Sequence, residues 1–227
     1  MDEIAVILPA LNEEQCVEIV VKGFRDQGVR VIVVDNGSTD RTNETARRAG
    51  AHVVVENTRG YGNACLAGLR YLTQNPPNVV VFADCDGTLN PSEIKSLVSP
   101  ILAEDADVAL GRRSRVEAGA LPAHQRYGNR VACFLLKTLY GVEINDIPPY
   151  RALRWSFIAQ LPLSEGTYGL PIETIAMAAR RRARIVEIDV DYRVRRGGKS
   201  KVTSSLWSSL QAGWTMLGLV AVIRLRT

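Results

Sequence analysis

Five runs of apolar, β-branched residues alternate with helical patterns along the first half of the chain. In each run Val and Ile stand at consecutive positions, which is typical of strands buried on both faces. Helical segments between such strands indicate a parallel sheet. We therefore predict an α/β fold, a mostly parallel sheet flanked by helices, with strands at residues 4–10, 29–35, 52–57, 78–84 and 107–111.

The remaining pattern adds helices and one further strand. Helices are predicted between the strands, at residues 13–27, after Asp40, at 61–74 and after Pro91. Residues 121–141 predict a helix that crosses the sheet, and the alternation in residues 184–194 predicts a later strand. No internal repeat or low-complexity linker interrupts the sequence.

Polar clusters follow four of the predicted strands. In open α/β sheets the ligand crevice lies outside the carboxyl ends of the strands, so the four clusters together predict a binding site. Taken alone, Asn12 could be only a helix N-cap, and Asp35-Asn-Gly could be only a turn. The clusters are residues 9–14, 35–40, 57–60 and 84–86.

The stretch FADCDGTLNP, residues 82–91, is compatible with two kinds of enzyme. Asp-x-Asp-Gly-Thr-Leu resembles the nucleophile loop of haloacid-dehalogenase-type phosphatases, in which Asp84 would attack phosphorus. It also resembles the metal-binding Asp-x-Asp of nucleotide-sugar glycosyltransferases. The phosphatase motif usually follows the first strand and needs a later Gly-Asp motif. Here the pair follows the fourth predicted strand and no Gly-Asp comes after it, which favours the glycosyltransferase.

The ordered motifs PALNEE, VVDNGSTD, RGYGNA and DCD resemble inverting family-two glycosyltransferases with the GT-A fold. Two later segments, DIPPYRALRW and DYRVRRGGKSK, resemble the dolichol- and polyprenol-phosphate branch of that family. The resemblance covers essentially the whole chain. It implies a GT-A domain over residues 1–201, with a nucleotide-sugar-binding half (1–111) and an acceptor-binding half (112–201), before a C-terminal helix (202–227).

The resemblance also implies a divalent metal, Mg²⁺ or Mn²⁺, held by Asp84 and Asp86. Such an ion stabilises the charge of a departing diphosphate, and hard oxygen ligands suit it. Asp86 would be the direct ligand, and Asp84 would contact the ribose or the metal. Thr88 stands where some relatives place a further polar ligand, so the third protein ligand stays open.

A nucleotide pocket follows from the same resemblance. Asp35 would accept hydrogen bonds from the base and Glu14 from the ribose, while Asp40 would cap the next helix. At positions 59 and 60 the chain would approach the base or phosphate closely. The residues assigned to this pocket are Pro9, Leu11, Asn12, Glu14, Asp35, Arg59 and Gly60.

Basic residues concentrate in the acceptor half. The net charge is only +4, yet residues 180–201 hold nine basic and three acidic side chains. Arginine binds phosphate through charge-assisted, bidentate hydrogen bonds, which suits a polyprenyl phosphate acceptor; a solvated basic face is the alternative. The candidates are Arg112, Arg126, Arg130, Arg195, Lys199, Ser200 and Lys201.

The need for a catalytic base depends on the acceptor. A phosphate is already anionic near neutral pH, whereas a hydroxyl needs a general base. Glu173 aligns with the acidic position at which relatives with hydroxyl acceptors often place their base, and Asp146 is the second candidate. Either carboxylate could instead be structural.

The last segment and the cysteines bear on location. Residues 202–223 are uncharged, and seven of the 22 are Ser, Thr or Gln, which favours an interfacial helix over a spanning one. A core-packing or dimer helix is the alternative. The N-terminus lacks the pattern of a signal peptide, and the four scattered cysteines indicate a reducing compartment. We expect a cytoplasmic protein at the membrane face.

The leading hypothesis is a metal-dependent enzyme that transfers a hexose from a UDP- or GDP-sugar to a polyprenyl phosphate. One alternative is transfer to a soluble hydroxyl acceptor. Another is a catalytically silent nucleotide- or RNA-binding protein, although a binder has no need of the Asp pair, and we expect no nucleic-acid partner. A homodimer is compatible with the sequence, which does not name the sugar or the base.

Overall fold

The computed structural model describes residues 3–197. The predicted site residues Lys199, Ser200 and Lys201 and the predicted C-terminal helix lie outside this range. The strands are β1 (Ile4–Ala10), β2 (Arg30–Asp35), β3 (His52–Val55), β4 (Val79–Phe82), β5 (Val108–Val116), β6 (Arg151–Arg154) and β7 (Ile185–Tyr192). The helices are α1 (Val17–Arg25), α2 (Thr42–Arg48), α3 (Tyr61–Leu72), α4 (Ile94–Leu102), α5 (Ala123–Tyr140), α6 (Trp155–Ile158) and α7 (Leu170–Arg180), with a 3-10 turn at Pro91–Glu93 before α4.

The seven strands form one sheet in the order β3-β2-β1-β4-β6-β5-β7. All neighbours are parallel except those of β6, which runs antiparallel to both β4 and β5. The chain builds β1, β2 and β3 outwards in one direction and then returns to place β4 on the other side of β1. The order reverses there, and a crevice opens at such a point in α/β sheets.

Apolar side chains cover both faces of the sheet, as the consecutive Val and Ile residues predicted. Ala5 and Ile7 of β1 point into a core shared with α3, α5 and α7. Val6 and Leu8 point into the opposite core, which is shared with α1 and α4. All four residues are fully buried. The edge strand β3 differs, because it has a neighbour on one side only, and Val55 is exposed there.

Three features of the second half were not predicted. β6 is only four residues long and α7 follows an irregular segment, so neither gave a clear pattern. β5 continues past Gly111 to Val116 and stays paired with β7 across a register shift between Arg113 and Arg115. This extension has no apolar signal in the sequence, because its residues are mostly polar. Among the helices of residues 3–197, none is long and apolar enough to cross a membrane.

Candidate active site

Asn12 joins the ends of β1 and β2. It has a positive φ of 53°, and its carboxamide oxygen accepts a hydrogen bond from the Thr39 N–H at 2.8 Å. Its own N–H donates to the Ser38 hydroxyl at 3.0 Å. The helix α1 begins only at Val17, so the alternative interpretation of Asn12 as a helix N-cap is wrong. The residue instead ties the loop after β1 to the loop after β2.

Glu14 and Asp40 connect the same two loops further along. The Glu14 carboxylate accepts from the Arg41 N–H at 3.0 Å, and the Glu14 N–H donates to Asp40 at 3.3 Å. Asp40 also accepts from the N–H of Thr42 at 3.0 Å, where α2 begins. Asp40 thus bonds to the first residue of α2, although the N-cap position itself is Arg41, which makes no side-chain capping bond.

Asp35 is buried at the end of β2. One carboxylate oxygen accepts from the Ser38 N–H at 2.9 Å, and the other accepts from the Asn43 side chain at 3.0 Å. Pro9 and Leu11, both half-buried, lie at the end of the neighbouring strand β1. The loop and helix that follow β2 thus hold the orientation of the Asp35 carboxylate.

Asn36 is a site residue that the sequence analysis treated only as part of a turn. Its side-chain amide donates to the carbonyls of Glu56 and Thr58 at 2.9 and 2.8 Å. Its carboxamide oxygen accepts from the Gly60 N–H at 2.8 Å. Asn36 is 5% exposed, and it joins the loop after β2 to the loop after β3. Its position one residue past a buried strand was the only available signal.

Arg59 and Gly60 lie in the loop between β3 and α3. Gly60 has a φ of 138°, and a Cβ atom there would stand 2.2 Å from the carbonyl oxygen of Gly166. Only glycine fits this close approach. Arg59 is exposed, and its guanidinium lies against Gly37 of the β2 loop. The close approach at Gly60 in the structure is made to protein backbone, and the approach to the base or phosphate stays a prediction.

The Asp-x-Asp pair follows β4. Burial, together with the neighbouring Asp86, raises the pKa of the Asp84 carboxyl to about 7. Asp86 is 9% exposed, and one of its oxygens accepts from the Thr88 N–H and hydroxyl at 3.0 and 2.7 Å. Thr88, at the position of the open third ligand, thus orients the Asp86 side chain.

Arg195 approaches the pair from the segment after β7. Its guanidinium donates to the second Asp86 oxygen at 3.2 Å and forms a short ion pair with Glu13. Its Nε donates to the Gly197 carbonyl at 2.6 Å. Arg195 therefore links the Asp-x-Asp loop to the loop after β1, whereas the sequence analysis placed it with the acceptor phosphate.

Arg151 of β6 lies beneath the Asp-x-Asp loop and was not predicted as a site residue. It is 1% exposed, and its guanidinium lies 5.1 Å from the centroid of the Phe82 ring. One nitrogen donates to the Pro148 carbonyl at 3.0 Å. Within residues 3–197, Nε and the other terminal nitrogen have no hydrogen-bond partner. The buried positive charge lowers the pKa of Asp84, against the effects of burial and Asp86.

Among the acceptor candidates before residue 131, Arg112 is paired with Asp189, and Arg126 and Arg130 lie on α5. The Arg112 guanidinium bonds to Asp189 at 2.7 Å across the β5–β7 ladder. Arg126 and Arg130 are exposed on α5. A broad cleft of about 930 Å³ lies beside the β5–β7 ladder and is lined by residues 114–117 and 191–196.

Both candidate bases have partners that hold them in place. Glu173 is fully buried on α7, and its carboxylate accepts from the N–H groups of Ser164 and Glu165 at 3.1 and 2.9 Å. Asp146 forms a bidentate ion pair with Arg113, at 2.6 and 2.9 Å. Glu173 and Asp146 are thus each bonded to neighbouring groups of the protein, as a structural role for these carboxylates would require.

Hydrogen bonds thus connect all four clusters at one edge of the sheet. Asn12 joins the first to the second, Asn36 joins the second to the third, and Arg195 joins the first to the fourth. Within residues 3–197 no group of three His, Cys, Asp or Glu side chains could hold a metal ion by itself. Asp84 and Asp86 offer two carboxylates, so an ion held there needs further oxygen ligands from its substrate.

A model of glycosyl transferase family 2 matches residues 5–183. The chain belongs to this family. It is 39% identical over 211 residues to an uncharacterized glycosyltransferase of Mycobacterium tuberculosis (strain H37Rv), covering 93% of this chain and 94% of that protein. It is 34% identical over 200 residues to a dolichyl-phosphate hexose transferase of Haloferax volcanii, covering 86% and 85%.

A solved structure with the same fold is glucosyl-3-phosphoglycerate synthase from Mycobacterium tuberculosis, crystallised with Mn²⁺, UDP and glucosyl-3-phosphoglycerate. The TM-score is 0.77 at 23% identity, over 98% of this chain and 80% of that one. This likeness confirms the predicted GT-A fold of the family 2 chain.

Proposed function

We propose that this family 2 glycosyltransferase transfers a hexose, with inversion, from a UDP- or GDP-sugar to a polyprenyl phosphate at a membrane surface. The observation that carries the donor half of the proposal is a hydrogen-bonded network that joins the loops after β1, β2 and β3 and reaches Asp86 through Arg195. A carboxylate pair at this crevice suits a divalent ion on a diphosphate.

In this scheme the chain binds the donor with preorganised groups. Asp35 would offer its buried carboxylate to the base, and Glu14 would accept hydrogen bonds from the ribose at the same edge of the sheet. Bound Mg²⁺ or Mn²⁺, held by Asp84 and Asp86, would neutralise the charge that develops on the departing diphosphate. Thr88 holds one oxygen of Asp86 in a fixed position, so the carboxylate is already oriented before the donor binds.

The state of the two candidate bases supports an anionic acceptor. The Glu173 carboxylate is fully buried and bonded to backbone N–H groups, and Asp146 is paired with Arg113. A phosphate acceptor needs neither of them as a base. The dolichyl-phosphate hexose transferase that resembles this chain favours the same class of acceptor.

Helix α5 offers a surface that fits an anionic membrane. Tyr127 and Phe134 are 73% and 66% exposed and, seven residues apart, share one side of the helix. Arg126 and Arg130 lie beside them, and α5 contains no Asp or Glu. An aromatic stripe with a basic edge is the composition of a helix that lies in a lipid interface. We call these four residues the α5 face.

A sedimentation experiment tests the α5 face. The double variant Tyr127→Ser/Phe134→Ser should bind vesicles of phosphatidylglycerol several-fold more weakly than the wild type. The matched control is Ile19→Ser/Leu102→Ser, which removes apolar residues that are 49% and 46% exposed elsewhere. Residues 202–227 are identical in all three proteins. Equal binding by both double variants would contradict membrane contact through α5.

A transfer assay tests the function itself. The full chain is incubated with Mn²⁺, labelled UDP-glucose or GDP-mannose, and vesicles that contain polyprenyl phosphate. Label should pass into the lipid fraction, and Asp86→Asn should lower the rate on the order of 10²–10³-fold, as for loss of a group that stabilises transition-state charge. Lipid labelling that is equal in wild type and Asp86→Asn, or absent with both donors, would contradict the proposal.

Transfer to a soluble acceptor is the second candidate. The synthase with the same fold was crystallised with glucosyl-3-phosphoglycerate, which is a soluble phosphorylated compound. The same assay with phosphoglyceric acid in place of the lipid separates the two. Label in the aqueous product but not in lipid would favour the soluble acceptor.

A further inference from the structure

The guanidinium of Arg195 bridges two carboxylates that come from different strand ends. It bonds to Asp86 after β4 at 3.2 Å and to Glu13 after β1. Glu13 and Asp86 are only 8% and 9% exposed. Two carboxylates with so little access to water repel each other unless a cation lies between them. In the structure Arg195 is that cation.

The same Asp86 oxygen is the one that remains for a metal. Thr88 donates two hydrogen bonds to the first carboxylate oxygen, and Arg195 takes the second. A divalent ion binds a carboxylate oxygen at about 2.0–2.6 Å, and a guanidinium in hydrogen-bond contact with that oxygen would repel the ion. The Arg195 contact and metal binding at Asp86 therefore compete.

We propose that Arg195 is an internal counter-ion that occupies the cation position at Asp86 until a divalent ion displaces it. This inference rests on the proposed metal-dependent function. Displacement breaks the link from Asp86 to the segment after β7, which is also held by the Arg196 N–H on the Asp86 carbonyl at 3.4 Å. The freed guanidinium is then available to an anionic substrate at the same edge of the sheet.

Binding of Mn²⁺ alone to the full chain tests the competition. The free Mn²⁺ signal is followed by electron paramagnetic resonance, without nucleotide. Arg195→Met keeps the length of the side chain and removes its charge, so it should bind Mn²⁺ roughly tenfold more tightly than the wild type, the equivalent of about 1.4 kcal/mol. The matched control is Arg196→Met, which removes the same charge from an exposed neighbour and should change the affinity much less.

The thermal midpoint gives a second test of whether Arg195 neutralises Glu13 and Asp86. Without metal, Arg195→Met should have a lower thermal midpoint than Arg196→Met, because Glu13 and Asp86 lose the cation between them. Mn²⁺ should raise the midpoint of Arg195→Met more than that of the wild type. If Arg195→Met is too unstable to study, Arg195→Lys keeps a cation and should bind Mn²⁺ within a few-fold of the wild type.

The outcomes distinguish this inference from the proposed function. If Asp86→Asn abolishes Mn²⁺ binding while Arg195→Met binds no more tightly than Arg196→Met, the counter-ion role is wrong and the metal site stands. If Asp86→Asn binds Mn²⁺ as well as the wild type, there is no metal site at Asp86, and the counter-ion role of Arg195 is also wrong.

Discussion

The loops at the two ends of the strand order are held by different kinds of bond. Around β1, β2 and β3 the loops are joined by amide side chains and backbone groups, with Asn12 and Asn36 at the junctions. Around β5 and β7 the contacts are ion pairs. Arg112–Asp189 and Arg115–Asp191 are partly open to water, whereas Arg113–Asp146 is buried. The neutral, part-buried hydrogen bonds of Asn36 should resist salt, whereas exposed ion pairs are screened by it.

This contrast fits the expectation that the first half of the chain binds the donor and the second half binds the acceptor. A donor site that must present one orientation to a nucleotide benefits from loops fixed in advance. An acceptor site for a phosphate benefits from arginines whose existing partners are exposed carboxylates, because phosphate can replace them at low cost. The variants below test whether rigidity and exchangeable charge are divided in this way.

The largest loss of stability is expected at Asn36. Asn36→Ala removes three hydrogen bonds and leaves the Gly60 N–H and two carbonyls without their partner. Chemical denaturation should show a loss of about 2–4 kcal/mol, together with weaker nucleotide binding. Asn57→Ala, at an exposed position in the next loop, should cost less than about 0.5 kcal/mol. Equal losses of stability in the two variants would contradict the role of Asn36 in joining the loops after β2 and β3.

Glu173 tests the acceptor side. Glu173→Gln weakens the charged hydrogen bonds to the Ser164 and Glu165 N–H groups and should lower the free energy of unfolding by about 1–3 kcal/mol. Transfer to polyprenyl phosphate by the folded variant should stay within about tenfold of the wild type, because a phosphate acceptor needs no base. Normal stability with transfer abolished would instead identify Glu173 as a general base.

Asp84 should give a stability effect that depends on pH. Its folded pKa of about 7 is above the usual value near 3.9, so the folded state holds the proton more tightly. The contribution of Asp84 to stability is therefore full at low pH and is lost as the pH rises through about 7.

The corresponding variant is Asp84→Asn, which mimics the neutral carboxyl. In EDTA its thermal midpoint should exceed that of the wild type by several degrees above pH 8, and the difference should shrink from about pH 7 downwards and vanish near pH 4 (a pKa of about 7 when folded against about 3.9 when unfolded, at most about 4 kcal/mol at the high-pH end). A difference that does not change with pH would show that the Asp84 charge does not destabilise the metal-free protein.

The smallest effect is expected in the β5–β7 ladder. Arg112→Gln breaks an ion pair whose side chains are 39% and 45% exposed, so the thermal midpoint should move by at most about two degrees, and less in high salt. A large shift that persists in high salt would show that the β5–β7 ladder is also rigid. It would contradict the difference between the loops near β1–β3 and the ion pairs near β5 and β7.

The sequence predicted the first half of the fold better than the second. Consecutive Val and Ile residues reveal a strand because both of its faces are buried, and this holds for β1, β2 and β4. The extension of β5 carries three arginines, two of which pair with acidic residues of β7, so it lacks the apolar signal. The short β6 is a strand only because its neighbours on both sides pair with it.

The candidate site was predictable where residue type reflects chemistry. Asp84, Asp86 and Asp35 could be named because their motifs resemble those of family 2 glycosyltransferases, and the structure connects their loops through hydrogen bonds. Asn36 and Arg151 could not, because their roles depend on partners far away in sequence, at Glu56 and at the Asp-x-Asp loop. The position of Arg195 against Glu13 likewise joins residues 182 positions apart.

The glycines between α3 and the loop before α7 have a consequence for how such enzymes can diverge. A Cβ atom at Gly62 would stand 2.0 Å from the Glu165 carbonyl oxygen, and one at Gly60 2.2 Å from that of Gly166. Two backbones from opposite halves of the chain therefore touch with no room for a side chain. A lineage that changes its sugar or acceptor cannot adjust either loop alone. New specificity has to arise elsewhere or through paired changes, and a mutant library that holds residues 60, 62 and 166 fixed should retain more folded members than one that varies them.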